Sequence, residues 1–368
     1  MDFYILKEEL VKSLNQTLGI VEKRHSKAIL SNVLIEVDES SLKFTATDLE
    51  SEISTTSTIS NFKSGGKTTA PARKLNDICR LLPDLTEIHF YLDGYNLKIE
   101  TSSGKYNLST LPSEDFPVFE TEDTDTHINI SSENLQTLIS KTAFAIGTRD
   151  WRTYLNGLFI SIDDKNITTV ASDGSRLALA TASLNEAAIK TTSGIVPKKS
   201  INEIGRLVSD YSDNVVMKIS ESSVMVEIGG TKFVSKLIEG IYPEYESFIP
   251  SGESSLVEIN KKLFSDSLSR VSVVTNETGT KWVKINSKDN LLHISTNNTK
   301  KKEEGEESIA CSHSGKDVEI FFNVTYIQEI LSTLDCEQIQ VNFFGSDACI
   351  ISDPENSNLK YVALAILI

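Results

Sequence analysis

The sequence is poor in the residues that usually announce chemistry. Among 368 residues there are four cysteines, five histidines, three methionines and two tryptophans. Cys79, Cys311, Cys336 and Cys349 are scattered, with no CxxC pair. A thiolate metal site needs closely spaced ligands, and Cys311 beside His313 is a pair rather than a set. No GxSxG, HExxH or paired-carboxylate constellation is present. The SGGKTT segment at 64–69 lacks the earlier glycine of a phosphate loop, since Asn61 stands there, and reads as a turn. Asp173-Gly174 has no histidine nearby and no second carboxylate repeated with it, so it too reads as a turn. Catalytic residues, metals and cofactors are therefore not expected.

Long apolar runs are missing as well. The longest, YVALAILI at the C-terminus, falls far short of the roughly 20 residues that span a bilayer. The opening MDFYILKEEL has no basic segment followed by an apolar core, so no leader is expected. Dispersed thiols suit a reducing compartment, and the expectation is a cytoplasmic chain without a membrane partner. Positive charge is scarce: 36 Lys and Arg against 52 Asp and Glu leave a net −16. That sum disfavours nucleic acid, whose affinity comes from neutralised phosphates. The distribution of charge matters more than its total, however.

What the sequence does have is self-similarity. ILSNVLIEVDESSLKFTATDLE, starting at Ile29, slides by 125 residues onto YLNGLFISIDDKNITTVASDGS, starting at Tyr154. Both read as strand, turn, strand, then Thr47-Asp48 or Ser172-Asp173. TAPARKLNDICRLL from Thr69 answers IVPKKSINEIGRLV from Ile195 and FFNVTYIQEILSTL from Phe321. Phe116-Pro117 recurs as Tyr242-Pro243. An earlier segment, read as a helix, also recurs three times, with Ile5, Leu10 and Leu14 answered by Ile130, Leu135 and Ile139, then by Ile259, Phe264 and Leu268. Ser131 or Ser132 before Glu133 supplies a helix-start signal in the second copy. Each copy carries two amphipathic helices and several period-two strands, among them NVLIEV, EIHFYL, NLKIET, VVMKIS and VMVEIG. The expected fold is α+β, with domains at 1–122, 123–251 and 252–368, each large enough for its own core.

The repeat lets charge be read locally. Arg73 and Arg80 share a helix face opposite Leu75, Ile78 and Leu82, and Lys199 and Arg206, with Lys198, repeat that face. The six expected helices (7–18, 71–82, 131–146, 197–208, 260–271 and 323–337) sum to +3, leaving −19 elsewhere. Any contact with nucleic acid would run through phosphates and not read sequence, because no base-reading motif is present.

APARKLNDICRLLP, LSTLPSEDFP, YLNGLF, ASDGSRLALA, IVPKKS, FVSKLIEGIYPEY and YVALAILI together resemble the bacterial sliding clamp, the DNA polymerase III beta subunit, over essentially the whole chain. The resemblance implies three tandem clamp domains, with helices on antiparallel sheets, in a head-to-tail dimeric ring around double-stranded DNA. It implies a non-enzymatic processivity factor with three kinds of partner: clamp loader, replicative polymerase and other proteins carrying a short Leu/Phe-rich motif. The DNA-facing set it implies is Arg24, Arg73, Arg149, Tyr154, Lys198 and Lys199, to which the repeated helix face adds Arg206. The implied peptide pocket takes Leu155, Ser172, Gly174, Ser175, Arg176 and Leu177 from the second domain. It adds Pro243 and Phe248, then Asn323, Tyr326, Val362, Leu364 and Ile366. The implied dimer interface uses Lys105, Tyr106 and Leu108 on one side. On the other stand Val273, Val274 and the glutamates Glu303, Glu304, Glu306 and Glu307.

This chain departs from the family at Arg149 and Thr153, and at Ser175, Ser247, Leu364-Ala365 and Leu367-Ile368. Lys300, Lys301 and Lys302 also precede the glutamates. The departures at the pocket imply a shifted peptide preference. Two other classes stay open on the residues alone: an enzyme assembled from scattered polar groups, and a monomeric acidic β-rich module.

Overall fold

A computed structural model describes residues 1–22, 26–39, 41–119, 127–184, 186, 188, 190–275, 281–298 and 301–366. Its α-helices are α1 (Lys7–Thr17), α2 (Ala72–Arg80), α3 (Ser132–Thr142), α4 (Lys198–Ser209), α5 (Lys261–Val271) and α6 (Val324–Thr333). They fall where the repeats put them, two to a copy. Local chemistry explains the starts. Pro71 and Pro197 each end a strand and hand over to α2 and α4, where a missing N–H costs nothing. Asn260 and Asn323 cap α5 and α6 by accepting from the Leu263 and Thr325 N–H groups. Ile5, Ile130 and Ile259 prove to lie on the strand just before each helix, not on the helix itself. All three are buried.

The chain divides into two compact units: Met1–Glu133 with Asn202–Leu237, and Asn134–Ile201 with Ile238–Ile368. The first unit holds a five-stranded sheet that ends on Lys105–Ser109. It also holds an eight-stranded sheet in which Ser51–Ser57 of the first repeat pairs with Thr231–Lys236 of the second. The second unit holds a nine-stranded sheet in which Arg176–Ser183 pairs with Asn356–Leu364 of the third repeat. Its four-stranded sheet ends on Glu303–Ala310. Sheets thus run through the repeat junctions while the sequence repeat does not. The strands read from alternation form: Asn32–Val37, Glu87–Asp93, Asn96–Glu100, Asn214–Ile219 and Ser223–Ile228. Their apolar positions supply much of the core, including Ile35, Phe90, Ile99, Met217 and Val226.

Among the described residues no helix is long and apolar enough to cross a membrane.

Candidate functional site

The second unit carries an open hollow of about 140 Å³ built by four chain segments. Residues 152–155 give one wall through Arg152, Tyr154 and Leu155. Ser172, Gly174, Arg176 and Leu177 give the next, Tyr242, Pro243, Tyr245 and Phe248 a third, and Val362 and Leu364 close it. Its floor is continuous with the core: Val170, Leu177 and Val362 form a buried cluster against which Phe159, Tyr242, Tyr245 and Ile249 pack. Tyr242 stacks on Phe159 at 4.7 Å, and Tyr154 meets Tyr242 edge-on at 6.2 Å. Burial raises the Tyr242 hydroxyl pKa and pushes that of Tyr245 up to about 12, so both stay neutral. Such a surface takes apolar side chains and offers nothing to activate a bond.

Two arginines shape the rim. Arg152 grips Asp150 with Nε and Nη2 at 3.0 and 2.9 Å. The paired guanidinium holds the Asp150 carboxyl at about 2. Glycine is favoured at 174 by its left-handed φ of +87°, and a Cβ there would also lie 2.5 Å from the Arg152 guanidinium and push it aside. Arg176 is only 8% exposed and is fully engaged. It pairs with Asp173 at 3.1 Å and with Glu329, and donates to the Phe144 carbonyl at 3.1 Å. Its guanidinium also covers the Tyr326 ring at 4.3 Å. Arg176 and Tyr326 therefore fix the 172–176 turn to α6, behind the hollow.

Of the residues expected at this pocket, Leu155, Ser172, Gly174, Arg176, Leu177, Pro243, Phe248, Val362 and Leu364 line it. Ser175 sits at the exposed turn, where its carbonyl accepts from the Leu364 N–H at 2.9 Å. Asn323 is the α6 cap, and the Ile366 N–H bonds the Phe321 carbonyl at 2.8 Å. The sequence reading missed Arg152, Tyr242 and Tyr245. The recurrence of Phe116-Pro117 as Tyr242-Pro243 was a usable signal for Tyr242. Tyr154, expected to face DNA, forms part of the hollow wall. Of the departures, Leu367 and Ile368 lie outside the described residues.

The basic residues differ in how far they are committed. Arg73 is exposed and donates to the Val21 carbonyl at 2.7 Å. Lys199 and Arg149 are exposed, Arg149 with a left-handed φ of +56°. Lys198 closes onto the Ile146 carbonyl at 3.0 Å. Arg206 is bound to Glu203 through two nitrogens and donates to the Gln16 carbonyl at 2.8 Å. Arg24 and Lys300 lie outside the described residues.

At the expected interface Tyr106 and Val273 are exposed, at 39% and 81%. Lys105, Glu303, Glu304 and Glu306 are exposed too, and Leu108 is buried. Lys105 reaches Glu100 at 2.9 Å. Glu307 is already held bidentately by Arg270, at 2.6 and 2.7 Å.

A triplicated α+β chain whose aromatic-walled hollow lies where the second and third repeats join has the architecture of the clamp class. The comparisons make this specific. Sequence models of the DNA polymerase III beta subunit match its N-terminal domain at residues 1–120, its central domain at 129–244 and its C-terminal domain at 246–366. The beta sliding clamp of Vibrio cholerae is 34% identical over 367 residues, covering 100% of both chains. The Escherichia coli beta sliding clamp is 31% identical over 365 residues and 99% of each. The solved beta subunit of Pseudomonas aeruginosa superimposes with a TM-score of 0.97 at 31% identity over 100% of both chains. The same organism's clamp is also solved bound to griselimycin, at a TM-score of 0.96. The chain belongs to the DNA polymerase III beta subunit family, the sliding clamps: it is a non-catalytic processivity factor of DNA replication.

Proposed function

We propose that two copies of this chain close head to tail around double-stranded DNA, and that the hollow at the second junction tethers partners. The occupants are the Leu and Phe side chains of short extended segments on the replicative polymerase, the clamp loader and other replication proteins. Tethering raises the polymerase's effective concentration at the primer end without any chemistry on the clamp. The cytoplasm, where chromosomal DNA and reduced thiols coexist in bacteria, is the place for it.

The observation that carries the ring is the repeated junction. At the first junction Phe233 lies opposite Ile53, and at the second Tyr361 lies opposite Ala178. Counting along the ladders puts Tyr106 at the place of Phe233 and Tyr361, and Gly305 at the place of Ile53 and Ala178. Both belong to strands on the outer edge of their sheets. Pairing in the same register sets Tyr106 of one copy opposite Gly305 of the partner subunit and Lys105 opposite Glu306 of the partner subunit. An aromatic covers a glycine, and a cation faces an anion.

Two measurements test this reading. Tyr106→Cys with Gly305→Cys in one chain gives a covalent dimer on mild oxidation, whereas shifting the second cysteine to Ser308 does not. Clamp-loader-assembled protein stays on nicked circular DNA and leaves the same DNA once it is linearised. Equal retention on both forms sinks the ring. Within it, Arg73, Arg149 and Lys199 face phosphates. Removing Arg149 and Lys199 together lowers the slope of log affinity against log salt by about two.

A further inference from the structure

The loop at 47–51 in the first repeat is hydrogen-bonded as a copy of 172–176 in the second. Thr47 Oγ1 donates to the Ser51 carbonyl at 2.8 Å, as Ser172 Oγ does to the Arg176 carbonyl at 2.6 Å. The Leu49 N–H donates to Thr47 Oγ1, and the Gly174 N–H to Ser172 Oγ. Asp48 and Asp173 each accept from the backbone N–H groups two and three residues on. The neighbouring strand joins identically: the Lys236 N–H bonds the Glu50 carbonyl, and the Leu364 N–H bonds the Ser175 carbonyl, both at 2.9 Å. The first loop also borders a hollow, lined by Thr47, Leu49, Pro117, Val118, Phe119 and Lys236.

The two hollows differ in chemistry at matched positions. Leu177 stands opposite Val362 in the wall of the second, and at the matched places beside the first Glu52 stands opposite Val234. Lys236 replaces Leu364, Glu50 replaces Ser175, and these two form an ion pair at 3.3 Å. The Glu52 carboxylate accepts the Phe119 N–H at 3.1 Å, tying down the segment that crosses the hollow. An apolar side chain settling there would take that N–H and water from the carboxylate and return no hydrogen bond.

We infer that Glu52 is a selectivity residue: it latches 117–119 across the first hollow and places a carboxylate where Leu177 offers carbon, so a chain with two copies of the loop presents one peptide site. This rests on the reading of the second hollow as the peptide site. The double substitution Glu52→Leu with Lys236→Leu opens the first hollow, and Leu177→Glu closes the second.

Calorimetric titration of the full chain with acetyl-Ala-Leu-Ala-Leu-Phe, together with amide exchange at Phe119, tests both halves. The wild type binds one peptide per chain, and the double variant binds two. Glu52→Gln, which keeps an acceptor for the Phe119 N–H, stays at one. Leu177→Glu weakens peptide binding at least about tenfold. Phe119 exchange accelerates by about tenfold or more in Glu52→Leu and stays near wild type in Glu52→Gln. One site in a double variant with wild-type circular dichroism overturns the inference. If that variant does not fold, undiminished binding by Leu177→Glu overturns it instead. A wild type that binds no peptide refutes the pocket reading. Phe119 exchange then decides the latch alone, and unchanged exchange in Glu52→Leu sinks it.

Discussion

At the first junction Thr55 lies opposite Thr231, and at the second the same two places hold Ala180 and Leu359. The first is a hydroxyl seam. Thr55 and Thr231 are almost fully buried, and each donates to Gln16 Oε1 at 2.8 Å. Gln16 in turn donates to the Tyr211 hydroxyl. Ser51, Ser54, Ser57 and Ser235 are buried along the same strands. The second is a carbon seam, with Ala178, Ala180, Val362, Ala363 and a fully buried Tyr361. One backbone register supports both. The ladder carries the join, and side-chain chemistry is free to differ, with Gln16 accepting from the buried threonine hydroxyls of the first seam.

That contrast can be broken from either side. Tyr361→Ala empties the carbon seam and costs about 3–5 kcal/mol, read as a lower urea midpoint in the fluorescence of Trp151 and Trp282, which both belong to that unit. An unchanged midpoint would mean the second junction does not depend on its packing. Gln16→Leu removes the acceptor that Thr55 and Thr231 share, leaving their mutual 3.1 Å bond and one hydroxyl proton unpaired, and costs about 1–3 kcal/mol, visible as faster amide exchange at Thr55 and Thr231. A neutral outcome would show that the seam tolerates unpaired hydroxyls.

A smaller effect is expected at Glu52, whose carboxyl is raised above its ordinary value near 4.5, chiefly by burial. Its folded-state value exceeds the unfolded one, so its stabilising contribution is full below pH 4.5 and fades as pH rises through the folded value. Glu52→Gln therefore matches wild type near pH 4 and exceeds it in urea midpoint at pH 7. A difference that shrinks with rising pH contradicts this. The smallest change belongs to Arg270→Gln. It breaks the exposed Glu307 pair and leaves the midpoint unchanged within error, since exposed ion pairs contribute little.

The sequence disclosed the repeat and the helices because apolar spacing recurs three times, as at Leu75, Ile201 and Ile327. It did not disclose the joins across repeats. Ser51–Ser57, reading SEISTTS, buries hydroxyls and so lacks the alternation that marks a strand facing a core. The pocket was legible through family resemblance at Leu155, Gly174, Leu177 and Val362. By residue type alone Leu177 and Val362 read as interior. Periodicity cannot tell the floor of an open hollow from the inside of a sheet. Arg152 and Tyr245 were invisible because they arrive from separate segments, and only Gly174, with its bare Cα, hints at a close neighbour.

Two edge strands, Lys105–Ser109 in the first unit and Glu303–Ala310 in the second, leave backbone donors and acceptors open. Such edges invite indiscriminate pairing, and sheet proteins ordinarily blunt them. Here the blunting is directional. Two copies of Glu303–Ala310 laid antiparallel would bring glutamates together along the ladder, so like refuses like. An edge of opposite charge is not refused. In the proposed ring the acidic row acts as a polarity label, disfavouring twofold self-pairing and favouring the unlike edge that carries Lys105.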